Sequence, residues 1–229
     1  MNRFLERALE IKEEIVKDRR YIHQLGGTGF DIPETVTYVM KQLQGMGLHP
    51  EEICKGGVVC NIGKREGKTI LLRADMDALP MEEKTELPFA CTNGTMHACG
   101  HDMHPAMLLG AARLLKEREE ELEGTVKLMF QPAEEILEGA KAMIQAGLLE
   151  NPKVDAAIAM HVAVGRPEDC ESHYISWVSG ASGSSAVNLR LPFAEKPEAL
   201  EIQWTLLARL FLGSRKFQAM KLKWTKILC

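Results

Sequence analysis

The sequence lacks several features that define other classes of protein. No apolar run approaches the length of a transmembrane helix, and residues 1–20 are charge-rich without the apolar segment of a secretory signal. The net charge of −4 gives no reason to expect nucleic acid or an anionic membrane as a partner. The six cysteines are irregularly spaced, which without a secretory signal indicates thiols rather than disulfides. We therefore expect a cytoplasmic globular protein.

Charge is unevenly distributed along the chain. Residues 186–229 contain 8 Lys and Arg against 3 Asp and Glu, whereas residues 1–185 carry a formal charge of −9. Two of the three tryptophans also lie after residue 185, and the last histidine is His173. This change in composition after residue 185 predicts two parts, residues 1–185 and an atypical basic tail of residues 186–229.

Helical and strand patterns alternate through the first part. Apolar residues recur at helical spacing in 4–16, 33–45, 105–115 and about 137–145, and short apolar strands cover 58–62, 69–73, 126–130 and 156–160. Such alternation predicts an α/β fold with a mixed, largely parallel sheet flanked by helices.

Polar residues follow three of these strands directly. Asp75 and Asp77 follow the second strand, Glu134 and Glu135 the third, and His161 ends the fourth. Because ligands of such sheets collect beyond the carboxyl ends of the parallel strands, we expect these side chains to meet at one edge.

A dense cluster of metal-ligand residue types precedes the helix that starts near Pro105. Residues 97–105 contain three histidines, Cys99 and Asp102. Thiolate, imidazole and carboxylate suit zinc-like divalent metals, and Cys99 and His101 can face one point from a single turn. The alternative is a polar turn whose histidines only cap and hydrogen-bond.

Glu134 and Glu135 extend the metal hypothesis to catalysis. Successive residues point in different directions, so one carboxylate can bind a metal while its neighbour transfers a proton. A divalent metal lowers the pKa of its bound water and polarises a carbonyl, and an adjacent carboxylate can act as general base. The residues therefore predict metal-assisted hydrolysis of an amide.

Four of these segments together resemble the M20 metallopeptidase family, in particular its amidohydrolase branch of hippurate hydrolases, aminoacylases and indole-acetyl-amino-acid hydrolases. The segments occur in the family order over about residues 4–185, and they are 73–80, 97–112, 130–135 and 160–161. The resemblance implies a zinc-exopeptidase-like catalytic domain that cleaves N-acyl or N-aroyl amino acids, hippurate being the model substrate.

The resemblance also implies a role for individual residues. Cys99, His101, Glu135 and His161 would bind two divalent ions, for which Mn, Zn, Co and Ni are all tenable. Glu134 would be the general base, and Asp77 would orient the site with Asp75 near it. His104 is expected to be structural, and His23 receives no role.

Full-length relatives insert a lid and dimerisation domain and later supply a further metal-binding histidine, and they are often homodimers. This sequence shows neither segment, so we expect a chain that ends before the lid domain, with an out-of-frame or genuinely basic tail. Its activity is then expected to be impaired.

Three alternatives stay open at this point. A non-catalytic remnant would bind metal without hydrolysis, and an M20-type dipeptidase or aminopeptidase would require a free substrate amine. A cysteine-nucleophile hydrolase using Cys99 and His101 would leave Glu134 and Glu135 unexplained.

Overall fold

Strands and helices alternate along the chain as the sequence predicts. The computed structural model describes residues 3–162 and two further strands, 174–178 and 186–190. The helices are α1 (Arg3–Glu10), α2 (Lys12–Leu25), α3 (Pro33–Gly45), α4 (Met103–Lys116), a 3-10 turn (Glu119–Glu121) and α5 (Gly139–Gln145). The strands are β1 (Glu51–Cys54), β2 (Gly57–Ile62), β3 (Thr69–Asp75), β4 (Thr125–Gln131), β5 (Ala156–Ala159), β6 (Tyr174–Val178) and β7 (Ala186–Arg190).

Five strands form one mixed sheet in the order β1-β2-β4-β3-β5. The central strand β3 runs parallel to β4 and β5, while β2 is antiparallel to both β4 and β1. Four strands therefore point in one direction, which confirms the predicted fold class. The short strand β1 has no alternating pattern and was not predicted. The strands β6 and β7 form a separate antiparallel pair.

The core lies between the sheet and the helices α2, α3 and α4. The predicted inward residues of α4, Leu108, Ala111, Ala112 and Leu115, are all buried. Helix α2 approaches α4 so closely at Gly110 that a Cβ atom there would lie 2.8 Å from the Ile15 Cδ1 atom. The packing holds α2 against the helix whose first residues follow Cys99 and His101.

Two predicted helices differ from those observed. The opening helix is broken at Ile11, whose side chain is buried in the bend between α1 and α2. Helix α5 begins at Gly139 because Leu137 has a positive φ of 58°, which cannot continue a right-handed helix.

Within the described residues, no helix is both long and apolar enough to cross a membrane. The predicted boundary at residues 185 and 186 stays a prediction, because residues 179–185 and 191–229 lie outside the described part of the chain.

Candidate metal centre

The carboxyl ends of three parallel strands meet at one edge of the sheet. Strand β3 ends at Asp75 and pairs with both β4 and β5, so it lies between the strands that precede Glu134 and His161. All five predicted metal and base residues come together there. Ligand atoms of Cys99, His101 and His161 lie within 4.8 Å of one another, as do those of His101, Glu134 and Glu135.

A glycine shapes the turn that carries Cys99 and His101. Gly100 has a φ of +92°, and a Cβ atom there would lie 2.5 Å from the Val162 Cγ2 atom. Both facts favour glycine. The Gly100 N–H donates to the His97 carbonyl (3.1 Å), and the Met103 N–H donates to the Gly100 carbonyl (3.0 Å). The turn thereby presents two ligand-type side chains just before α4.

The hydrogen-bond partners of His101 determine its tautomer. Its Nδ1 atom lies 2.9 Å from the Asp77 carbonyl oxygen, which can only accept, so Nδ1 carries the proton. In the neutral ring the buried Nε2 atom then presents a lone pair, and it has no hydrogen-bond partner among the described residues. Carboxylate oxygens of Asp75 and Glu134 each lie 3.8 Å from it. A lone pair facing carboxylates is unfavourable unless a cation lies between them.

His161 shows the same arrangement on the other side of the cluster. Its Nδ1 atom lies 2.5 Å from the Val162 carbonyl oxygen, so Nδ1 donates and Nε2 presents a lone pair in the neutral ring. That Nε2 atom lies 3.4 Å from the Cys99 sulfur. A metal-binding histidine usually donates its other ring N–H to a carbonyl or carboxylate, and both His101 and His161 do so.

Asp77 organises the turn that carries Glu134 and Glu135. Its fully buried carboxylate accepts the backbone N–H groups of Glu134 (2.9 Å) and Glu135 (3.2 Å). Burial raises the pKa of Asp77, and these two hydrogen bonds oppose that rise. Its side chain is thus engaged with the backbone of the turn, which agrees with an orienting role.

The charge around Cys99 disfavours a cysteine nucleophile. Burial and the nearby carboxylates of Glu135, Glu134 and Asp75 raise the pKa of the Cys99 thiol to about 11. A catalytic nucleophile needs the opposite shift, since the thiolate is the reactive form. The same negative surroundings favour a bound cation, and such a cation would stabilise the Cys99 thiolate.

His104 lies in the cluster, but both of its ring nitrogens are already engaged. Its Nε2 atom accepts the Val162 N–H (3.0 Å), so Nδ1 must carry a proton and donates it to Asp75. Asp75 also pairs with Arg73 (2.6 Å). Burial alone would raise the pKa of Asp75, yet His104 and Arg73 lower it to about 2. These partners agree with the structural role expected for His104.

Comparison with known proteins agrees with this geometry. The sequence profile of the peptidase family M20/M25/M40 matches residues 71–210, more than half of the chain. The chain belongs to this family. The resemblance predicted from the four sequence segments is confirmed.

Two curated relatives show what the M20 chain is similar to. It is 45% identical to an N-acetyl-L-cysteine deacetylase of Bacillus subtilis over 163 residues, which are 68% of this chain and 38% of the relative. It is 38% identical to an N-acyl-L-amino acid amidohydrolase of Geobacillus stearothermophilus over 157 residues, 67% of this chain and 42% of the relative. The chain thus spans about two fifths of these relatives' length.

Solved structures agree on the fold. A Bacillus subtilis protein described as a dinuclear metal binding peptidase from the M20 family is 40% identical, with a TM-score of 0.64 over 67% of this chain and 44% of that one. A protein from methicillin-resistant Staphylococcus aureus, described as an aminohydrolase of unproven function, is 38% identical with a TM-score of 0.67. The match covers 71% of this chain and 42% of that one. The first description and the ligand clusters together support divalent metal ions as cofactors.

The residues of this M20 chain fit such ions. A thiol, two imidazoles whose Nε2 atoms present lone pairs and two carboxylates form a donor set suited to zinc-like and related divalent metals. One buried oxygen of Glu135 also has no hydrogen-bond partner among the described residues. Unsatisfied buried groups of this kind are uncommon in stable cores, whereas a metal would satisfy them.

The partners of His23 were not predicted from the sequence. This residue is buried, and its ring lies between the carboxylates of Asp102 and Glu83. A signal was present: Arg19 and His23 are four residues apart and share one helix face, opposite the acidic residue that follows His101. The pattern became interpretable only once α2 was placed against α4.

Proposed function

We propose that this chain carries the metal-binding part of an amidohydrolase that cleaves the amide bond of N-acyl or N-aroyl amino acids. Cys99, His101, Glu135 and His161 would hold two divalent ions. The observation that carries the proposal is that a thiol, a second imidazole and two carboxylates gather around the buried His101 Nε2 atom, which has no hydrogen-bond partner among the described residues. The number of two ions is supported by the related M20 protein described as dinuclear.

Bound divalent ions would lower the pKa of a coordinated water and polarise the substrate carbonyl. Glu134 would take the proton from the attacking water and pass it to the leaving nitrogen. Its carboxylate is suited to this because it reaches within 3.8 Å of the His101 Nε2 atom and keeps 26% of its side-chain surface exposed. Asp77 would hold Glu134 and Glu135 in their separate directions through the two backbone hydrogen bonds.

The names of the relatives support the substrate class. They include deacetylases of N-acetylcysteine, an N-acyl-L-amino acid amidohydrolase and plant hydrolases of IAA–amino acid conjugates. Their shared chemistry is an acyl group on the nitrogen of an amino acid. Hippurate, whose acyl group is benzoyl, is one member of this class.

A peptidase is the second candidate, because a Saccharolobus solfataricus relative named thermostable carboxypeptidase 1 is 43% identical over 164 residues. The two candidates differ in the group on the substrate nitrogen. Paired assays with N-acetyl amino acids and with dipeptides bearing a free amine separate them. Faster cleavage of the dipeptides would favour the peptidase.

Matched variants test the metal and base assignments. The full chain is stripped with a chelator, reloaded with Mn, Zn, Co or Ni, and assayed for metal content and hydrolysis. We expect Glu135→Gln to lose bound metal. We expect Glu134→Gln to keep it while any hydrolysis falls about 10²- to 10⁴-fold, the usual contribution of a general base. Equal metal content in both variants would contradict the assignment of Glu135.

The same assay addresses the activity of this chain. We expect the 229-residue protein to bind metal while hydrolysing N-acyl amino acids slowly, because it spans only about two fifths of the length of these relatives. Turnover at ordinary enzyme rates would contradict this expectation and leave the family assignment intact. Metal binding without any hydrolysis would favour the non-catalytic remnant.

A further inference from the structure

Behind the Cys99–His101 turn lies a buried row of alternating charges. The Arg19 Nε atom lies 2.6 Å from the Asp102 carboxylate, which lies 2.8 Å from the His23 Nδ1 atom. The His23 Nε2 atom lies 3.0 Å from both oxygens of Glu83. The side chains of His23, Asp102 and Glu83 are at most 4% exposed. None of these residues belongs to the proposed ligand set.

Asp102 occupies the position before the first residue of α4 but does not cap the helix. An aspartate there normally accepts a backbone N–H of the first helical turn. In this chain Asp102 has helical backbone angles and makes no such capping hydrogen bond. Its carboxylate is directed to Arg19 and His23 of α2 instead. The residue directly after His101 is therefore tied to a different helix.

The partners of His23 identify it as an imidazolium. Carboxylates at neutral pH only accept hydrogen bonds, so a ring between two of them must donate from both nitrogens. The groups around it are Asp102 and Glu83, the guanidinium of Arg19 behind Asp102, and the His97 ring at a centroid distance of 6.0 Å. A neutral side chain at this position would leave at least one buried carboxylate without its counter-charge.

Glu83 lies in the long connection between β3 and α4, so the row of charges extends into that segment. Its carboxylate accepts the Cys91 N–H (2.7 Å) and the Thr85 hydroxyl. The connection returns to the site through backbone hydrogen bonds between Leu79 and Met96, just before His97. His23 thus joins the two ends of the segment that delivers Cys99 and His101.

We infer that His23 is a positioning residue for the proposed metal centre: its imidazolium, held between Asp102 and Glu83, keeps the Cys99–His101 turn in ligand geometry. The inference rests on the proposed function in that it takes Cys99 and His101 as ligands. A merely structural His23 would change the stability of the fold without changing how these two side chains are presented.

Cobalt titration tests the inference on the full chain. Co²⁺ bound by a thiolate gives a near-ultraviolet charge-transfer band, and its visible bands report coordination geometry. We expect His23→Gln and His23→Leu to weaken Co²⁺ binding about tenfold or more, as loss of groups that orient metal ligands commonly does, and to change the band shape of the bound ion. His49→Gln, at a solvent-exposed histidine, is the matched control and leaves both unchanged.

Thiol alkylation gives a second readout that needs no metal. In metal-free protein under native conditions we expect the Cys99 alkylation rate to rise several-fold in His23→Gln and to stay constant in His49→Gln. Cys60, only 2% exposed, serves as the internal indicator that the fold is intact. Glu83→Gln, which removes one of the two counter-charges, should shift both readouts in the same direction and replaces His23→Gln if that variant does not fold.

The possible outcomes distinguish a failure of the inference about His23 from a failure of the proposed function. Unchanged Cys99 reactivity and unchanged Co²⁺ binding in a destabilised His23→Gln protein would overturn the inference. If the unmodified chain bound no Co²⁺ at all, the proposed function would fail, and the alkylation rates would still decide whether His23 positions the turn.

Discussion

Two buried polar regions lie on strand β4 and on the segment that follows it. They differ in whether their buried polar atoms have hydrogen-bond partners. Lys127, in the middle of β4, is 2% exposed, and its ammonium donates to the carbonyl oxygens of Leu148 (2.9 Å), Glu150 (2.5 Å) and Pro152 (2.9 Å). All three N–H bonds of the ammonium have acceptors. This buried charge is complete within the protein.

At the carboxyl end of the sheet, by contrast, some buried polar atoms lack hydrogen-bond partners. The His101 Nε2 atom and one oxygen of Glu135 are buried without hydrogen-bond partners among the described residues. Burying polar atoms unpaired lowers stability, and ligand-type atoms of this kind that gather beyond parallel strands form a candidate binding site. The comparison teaches that burial and charge alone do not identify such a site, because the buried ammonium of Lys127 has acceptors for all its N–H bonds.

Removing Lys127 should give the largest loss of stability. Lys127→Met keeps the volume but leaves three carbonyl groups without their donor, at about 1–3 kcal/mol for each group that water cannot reach. We expect the unfolding free energy to fall by about 3–5 kcal/mol in urea denaturation. Lys68→Met is the control, since Lys68 is 81% exposed and its ion pair with Asp155 lies at the surface. Equal losses of stability in the two variants would contradict the distinction between the buried and the exposed lysine.

His23 is a second buried cation, and its contribution should depend on pH. Its hydrogen bond to Asp102 raises its pKa above 6.5; burial opposes this, and Glu83 adds to it. A histidine whose folded pKa is raised stabilises the fold fully below its unfolded pKa, and this stabilisation is lost as the pH rises through the folded pKa. We expect His23→Gln to cost about 2 kcal/mol at pH 6 and less at higher pH. A difference that grew with pH would contradict the charge assignment.

Sequence patterns predicted the ligand-bearing end of the sheet but not the buried cations. Asp75, Glu134 and His161 each follow an apolar strand, and parallel pairing alone brings such positions together. Lys127 and His23 have no such local mark, because a lysine in a strand and a histidine in a charged helix are usually exposed. Their roles depend on which carbonyls and carboxylates the tertiary fold places opposite them.

Neutralising a charged group at the carboxyl end of the sheet should raise the unfolding free energy rather than lower it. In metal-free protein, Glu135→Gln removes the charge of a carboxylate that has one buried oxygen without a hydrogen-bond partner among the described residues, and we expect the unfolding free energy to rise by about 1 kcal/mol. With divalent metal present the order reverses, because only the unmodified chain gains stability from binding. Glu138→Gln, at an exposed residue paired with Lys141, should be neutral in both conditions. A loss of stability without metal would mean that Glu135 is already satisfied.

The smallest effect is expected at Ala133, which sets the direction of Glu134 and Glu135. Ala133 has a φ of +51° and is fully buried. Ala133→Gly relieves about 1–2 kcal/mol of left-handed strain. It also loses a buried methyl group worth about 0.8 kcal/mol and adds about 0.5–1 kcal/mol of unfolded-chain entropy.

These contributions nearly cancel, so we expect the unfolding free energy of Ala133→Gly to change by less than about 0.5 kcal/mol. Ala142→Gly in helix α5 has no strain to relieve and should cost about 1 kcal/mol. A gain well above that range at Ala133 would show that the turn stores strain. The Glu134–Glu135 pair would then be held in place against a local backbone preference, in contrast to the fully satisfied surroundings of Lys127.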